Sequence, residues 1–331
     1  VNQEPSTAGL DAEPIGAALI VGGPTASGKS ALALALARAL DGTVINADSM
    51  QVYRELRVLT ARPTTAQEAA APHRLYGVRP AAEPGGAGWW REAALAAMGE
   101  AWGQGRLPIL CGGTGLYFRA LTEGLADIPD PGAPARSEAR ALLDRLGPAG
   151  LHRHLAGLDP ESAGMLRPSD GQRLARAWEV LAGTGRGLAA WQRDPVSRPV
   201  PARFTALRLA PPREALRAAV ADRFGQMLAA GALDEVRGLL ALGLPPGLPA
   251  MRALGVAPLA AHLRGELSLD AAAERAVAGQ RQYLKRQATW FAHHPLAPEA
   301  RTLTITTRIA GMTQFPESEW QRILSFIGNV R

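Results

Sequence analysis

Gly23-Pro24-Thr25-Ala26-Ser27-Gly28-Lys29-Ser30 decides the reading of this 331-residue chain. The octapeptide fits the pattern G-x-x-x-x-G-K-[ST], and its flanks fit too. An apolar run at 17–21 ends in Gly22 and Gly23, and an Ala- and Leu-rich stretch, 30–40, follows Lys29. Strand, glycine loop and helix in that order let backbone N–H groups close around phosphate oxygens. The helix N-terminus adds its dipole, Lys29 a mobile cation and Ser30 a hydroxyl able to ligate Mg²⁺. Only two of the 36 basic residues are lysine, Lys29 and Lys285, so a chance match that includes the lysine is rare. Gly23, Pro24, Thr25, Ala26, Ser27, Gly28, Lys29 and Ser30 are therefore read as an anion cradle.

Working outward, a second apolar run, 44–45, ends at 46–49. A third, 107–111, ends at Gly112, Gly113 and Thr114, with a helical stretch near 89–102 between them. Strands alternating with helices predict parallel βαβ units, which gather reactive groups at the carboxyl ends of the strands. From 129 the pattern changes to helix-like segments (137–146, 150–155, 172–181) punctuated by Pro and Gly, with no obvious strand. A strand-like stretch at 204–209 then returns to the sheet, and helices are predicted at 213–230, 233–242 and 271–293. The fold expected is α/β, a P-loop parallel sheet flanked by helices, with an all-helical insertion domain. Its parts are a first core segment (12–128), the insertion (129–195), a second core segment with C-terminal helices (196–300) and a tail (301–331) without assignment.

The other two strand ends carry the chemistry. Asp48 in Asn46-Ala47-Asp48-Ser49-Met50-Gln51-Val52-Tyr53 falls beside the cradle, where a carboxylate near phosphate is costly unless Mg²⁺ or arginine compensates. It reads equally as a general base or as a cap on the next helix. Ser49 and Gln51 read as partners for a base edge or as turn residues. Gly112-Gly113-Thr114 is either a second wrap around a diphosphate or a tight strand-to-helix turn. The absence of an Asp at that strand end weakens a nucleotide-hydrolase reading. A small-molecule P-loop kinase and a non-catalytic RNA-binding protein remain as alternatives.

Composition sets the outer limits. The net charge of +6 and a sequence pI near 10.2 favour a polyanionic partner without requiring one. A helix at 275–294 carries Arg275, Arg281, Lys285 and Arg286 with Tyr283, Trp290 and Phe291, and Arg281 and Lys285 share a face. These cations read as phosphate contacts, whereas Trp290 and Phe291 read as core. Arg173 and Arg176 lie three apart on a predicted insertion helix. Adjacent His293 and His294 point to different faces and make no metal pair. A single cysteine, Cys111, excludes an internal disulfide, and no Cys/His set offers zinc ligands. With no secretory start in 1–13 and no apolar run near 20 residues, the expected setting is cytoplasmic, without a membrane.

Several of these segments together resemble a known family. GPTASGKS (23–30), NADSMQVY (46–53), PHRL (72–75), GGTGLY (112–117), DPESAGMLRPSDGQRLARAWE (159–179), RFGQML (223–228) and KRQATWF (285–291) are similar, in order, to bacterial tRNA dimethylallyltransferases. The resemblance covers about 17–294. It implies transfer of a dimethylallyl group from dimethylallyl diphosphate to N6 of adenosine 37 in tRNA, with Mg²⁺ as cofactor and the nucleotide-type cradle holding the diphosphate. It further implies Asp48 as general base and Thr114 and Arg223 as diphosphate-holding catalytic groups. Lys29 and Ser30 belong to the cradle, Ser30 as metal ligand. Ser49, Gln51, Arg173, Arg176, Arg281, Lys285 and Arg286 are the expected tRNA contacts, with the insertion clamping the anticodon stem-loop. A monomer is expected. The chain departs from the family at Gly255-Val256-Ala257, where an aromatic and a basic residue usually follow the glycine.

Overall fold

The computed structural model describes residues 14–193 and 198–330. The polar stretch 1–13 and the end of the expected insertion at 194–195 lie outside the described residues. Strand β1 (Ala17–Gly22) leads through the glycine loop into α1 (Lys29–Ala39), and β2 (Gly42–Asn46) follows. Then come α2 (Thr65–Ala70), β3 (His73–Arg74), α3 (Ala87–Gly103), β4 (Leu107–Gly112) and α4 (Gly115–Thr122). The described chain divides into two compact units, 1–122 with 201–331 and 123–200.

In the second unit, α5 (Gly132–Leu158) kinks at Gly147 (φ 65°), with Pro148 restarting the helix. Short α6 (Pro160–Gly164), α7 (Gly171–Thr184) and α8 (Leu188–Arg193) follow. Asp159 and Asp170 cap α6 and α7 through their carboxylates, as helix starts require. The unit has its own core, in which Leu142, Leu151 and Leu155 meet Leu174, Ala177 and Trp178.

The first unit resumes with β5 (Arg203–Leu209), α9 (Arg213–Ala229), α10 (Ala232–Ala241), α11 (Val256–Leu263) and α12 (Leu269–His293). It ends with β6 (Thr302–Ile305) and α13 (Glu317–Val330). The six strands form one parallel sheet in the order β3-β2-β4-β1-β5-β6. The central strands β1, β2 and β4 are buried almost throughout, as their unbroken apolar sequences demand in a sheet covered on both faces. Because β2 and β4 flank their neighbours in parallel, their carboxyl ends and the glycine loop after β1 come out along one edge.

The tail at 301–331 belongs to the sheet layer rather than hanging from it. Strand β6 pairs with β5, and Arg208 Nε and Nη2 both donate to Thr304 Oγ1 across that pair. Ile323 and Ile327 of α13 are buried in the same core as Leu32, Leu36 and Leu209. Alternation in 302–307 is too brief to announce a strand, and the helix shows its burial only once β5 is in place to receive it.

Candidate active site

The glycine loop closes through two left-handed residues, Ala26 (φ 63°) and Gly28 (φ 94°). A non-glycine residue there stores on the order of 1–3 kcal/mol of strain, a cost that persists where the surrounding structure fixes the loop. Lys29 Nζ reaches back to the Pro24 carbonyl at 3.4 Å. Burial draws its pKa below the ordinary lysine value, opposed by Asp48 and by Cys111, with Arg223 pushing it down further. Cys111 lies across the loop. Its thiol is pushed up to about 11 by burial, and Ser30 hydrogen-bonds it.

Asn46 organises the end of β2. Its Oδ1 accepts from the Asp48 N–H at 2.9 Å, while its Nδ2 donates to the carbonyls of Asp48 and Leu75. Trp90 Nε1 holds the Asn46 carbonyl at 2.7 Å. Asp48 is thereby fixed half-buried, one carboxylate oxygen accepting from the Met50 N–H at 2.9 Å. Of the two readings open in the sequence, the cap takes the form of a turn and not a helix start: Asp48 caps its own turn, and its charge raises the pKa of both Lys29 and Arg223.

The end of β4 docks onto this turn. A Cβ on Gly112 would lie 2.0 Å from the Ala47 carbonyl oxygen, so only glycine permits the approach. Thr114 Oγ1 accepts from the Ser49 N–H at 2.9 Å and lies 3.3 Å from the Ser49 hydroxyl. Arg223 comes from α9, its Nη2 donating to Thr25 Oγ1 at 2.6 Å. Burial lowers its pKa, the Asp48 charge raises it and the Arg308 charge lowers it. The structure therefore brings Asp48, Thr114, Arg223 and Lys29 to one edge of the sheet.

Two residues of the 275–294 helix take roles that the sequence reading did not give them. Gln287, 5% exposed on α12, accepts from the Thr25 N–H at 2.8 Å and donates to the Gly113 carbonyl at 2.8 Å. One amide thus ties the glycine loop to the β4 end. Tyr283 hydrogen-bonds Thr114 and Gln287, and its phenol is held well above the usual range, first by burial and then by Asp48. The signal lay in the helix face 280, 284, 287, 291, which is buried yet carries two glutamines among its apolar residues.

The expected RNA contacts fall in three places. Gln51 is 9% exposed and its Nε2 donates to the carbonyls of Thr60 and Ala61, so it shapes its loop. Arg173 and Arg176, on α7, pair with Asp170 and Glu179. Arg281, Lys285 and Arg286 stand exposed on α12 with no ion pair among the described residues. Arg281 lines an open groove of about 410 Å³ with Phe224, Leu228, Val277 and Glu274. Phe291 is core at 2% exposure, and Trp290 stacks on His294 at 4.5 Å. Val256 is buried at the start of α11, behind Gly255 at φ 99°.

A parallel sheet with a glycine loop of P-loop sequence at one strand end, and with cations and a carboxylate beside it, places the chain among the P-loop α/β proteins. The family model described as IPP transferase matches 51–294, and one described as isopentenyl transferase matches 15–80. The chain belongs to this family and is a tRNA-modifying prenyltransferase. It is 62% identical over 309 residues to the tRNA dimethylallyltransferase of Gluconacetobacter diazotrophicus, covering 93% of each chain. It is 57% identical over 310 residues to that of Gluconobacter oxydans, covering 94% of this chain and 93% of the relative. The crystal structure of the tRNA isopentenylpyrophosphate transferase of Bacillus halodurans matches with a TM-score of 0.66 and 28% identity, over 95% of this chain and 96% of that one. Among the described residues no helix is long and apolar enough to cross a membrane.

Proposed function

We propose that the enzyme transfers the dimethylallyl group of dimethylallyl diphosphate to N6 of adenosine 37, the base just 3′ of the anticodon. The products are N6-isopentenyladenosine and diphosphate. The observation that carries the reading is the half-buried Asp48 carboxylate in the turn docked onto the β4 end, its charge acting on both Lys29 and Arg223 of the anion cradle.

The chemistry assigns each group a task. The adenine amine is a weak nucleophile, so Asp48 accepts the N6 proton as the new N–C bond forms. The allylic C–O bond breaks with its electron pair passing to the diphosphate. Lys29, Arg223 and the loop N–H groups meet the charge that accumulates there, each such donor typically worth ~3–4 kcal/mol. Thr114, bonded to the Ser49 main chain, is held at the β4 end as a further hydroxyl for the diphosphate. Gln287 and Tyr283 fix the loop and Thr114 relative to one another.

No group of three or more His, Cys, Asp or Glu side chains suited to a metal occurs among the described residues. Mg²⁺ needs few protein ligands and takes phosphate oxygens and water for the rest. Ser30 would hold it, and when bound it would neutralise charge on the departing diphosphate. The target adenosine must leave the anticodon-loop stack to reach Asp48. Ser49 borders that approach, with Gln51 shaping the loop behind it, Arg281, Lys285 and Arg286 meet stem phosphates, and the 123–200 unit with Arg173 and Arg176 grips the stem-loop.

The test is incubation with unmodified tRNA, Mg²⁺ and dimethylallyl diphosphate, followed by digestion and mass analysis of the nucleosides. A five-carbon adduct on adenosine is expected, absent when the tRNA carries guanosine at position 37. No adduct, with ATP turned over in a parallel incubation without tRNA, would return the cradle to a kinase.

A further inference from the structure

We infer that Arg308, from the segment joining β6 to α13, is a diphosphate-binding residue, a third cation on the cradle that also lies at the leaving group during transfer. The inference rests on the function proposed above only for the identity of the leaving group. It concerns a residue C-terminal to the last of the quoted sequence motifs, KRQATWF at 285–291.

The segment is built onto the glycine loop. The Ile309 N–H donates to the Ser27 carbonyl at 3.1 Å, and Arg308 Nε donates to the Ala26 carbonyl at 3.1 Å. A Cβ on Gly28 would fall 2.1 Å from the Ile309 carbonyl oxygen, so the glycine that shapes the cradle also admits the segment. Ile309 is 2% exposed and anchored in the core with Phe315, Ile323 and Ile327. The segment is thus held from behind, and the Arg308 backbone is fixed before any ligand arrives.

Charge gives the arrangement its purpose. Nε is spent on Ala26, which leaves the two Nη groups of a half-buried guanidinium without a hydrogen-bond partner among the described residues. Arg308 is close enough to push down the pKa of Arg223. None of Lys29, Arg223 and Arg308 forms an ion pair with a described carboxylate, and among the described residues Asp48 is the one acidic side chain whose charge reaches both Lys29 and Arg223. Three cations converging on one loop repel one another, and a polyanion between them turns that repulsion into attraction. A guanidinium anchored through Nε keeps its fork free for two phosphate oxygens, a geometry that lysine cannot copy in full.

The experiment measures inorganic diphosphate binding, with Mg²⁺, by calorimetry in the full chain and in the variants Arg308→Gln and Arg308→Lys. Arg322→Gln, whose native side chain pairs with Glu319 on the surface, is the control. Expected is at least a tenfold loss of affinity in Arg308→Gln, partial recovery in Arg308→Lys and wild-type affinity in the control, with ligand-free melting temperatures unchanged. Unaltered affinity in Arg308→Gln overturns the inference. So does an equal loss in both Arg308 variants accompanied by a lower ligand-free melting temperature, which assigns Arg308 to loop support alone. No tRNA or prenyl donor is present, so a wild-type chain that binds diphosphate but transfers nothing would defeat the proposed function and leave this inference standing.

Discussion

Asp48 carries two duties that a single substitution can separate. One carboxylate oxygen caps the Met50 N–H, and the same group is the proposed base for N6. Asp48→Asn keeps an oxygen for the cap but accepts no proton. The expected outcome is a fall in kcat of about 10²–10⁴, the usual worth of general-base catalysis, with tRNA affinity and melting temperature close to wild type. Asp48→Ala removes both duties and should also lower stability by about 1 kcal/mol, read from urea unfolding. Gln287 poses the complementary case, since it touches no reacting atom yet satisfies a donor on the loop and an acceptor at β4. Gln287→Leu preserves volume and orphans both partners at a cost of about 1–3 kcal/mol each. Because Thr25 also receives Arg223, diphosphate affinity should weaken in this variant, whereas a purely structural amide would lower the melting point alone. Gln287→Glu keeps the acceptor for Thr25, so it should recover more diphosphate affinity than Leu.

At the scale of the element, α12 divides its labour by face. Leu284, Gln287 and Phe291 look inward, while Arg281, Lys285 and Arg286 look out without acidic partners among the described residues. Replacing Arg281 and Lys285 together with glutamine should reduce the slope of log Kd for tRNA against log salt by one to two units, at roughly 0.7–0.9 for each phosphate no longer neutralised. An unchanged slope would make this face merely solvated. Elements of this kind show how far the sequence could be read. The cradle, β2 and β4 were legible because parallel strands buried on both faces write unbroken apolar runs that end in glycine or a polar turn. Strand β3 escaped because two residues, His73 and Arg74, carry no period, and its place is set by pairing with β2. In the site, Asp48, Thr114 and Arg223 were singled out within their motifs, whereas Gln287, inside KRQATWF, was given no role. A buried amide joining positions 25 and 113 depends on a contact across more than 170 residues, which no local spacing encodes.

Across the whole molecule, the decisive departure from the sequence reading is the tail. Its 31 residues, 301–331, have no motif, yet they supply the sixth strand, a core helix and the backing of the glycine loop. Burying Ile323 and Ile327 contributes about 1.5–3 kcal/mol apiece before β6 is counted, against a typical total stability of about 5–15 kcal/mol. The segment is therefore a condition of the fold, and its loss should be felt at the cradle as well as in the melting curve. Ile327→Ala provides the graded test. A buried Ile→Ala change costs about 2–5 kcal/mol, so thermal unfolding should move down by several degrees in a chain of this size. Arg322→Ala, on the exposed face of α13, should stay within about 0.5 kcal/mol of wild type. If the tail were an appendage, the isoleucine variant would melt with the wild type. If it backs the loop as the Ile309–Ser27 hydrogen bond indicates, saturating diphosphate should recover part of the lost melting temperature, because a ligand bound only by the folded cradle adds RT ln(1 + [L]/Kd) to its stability.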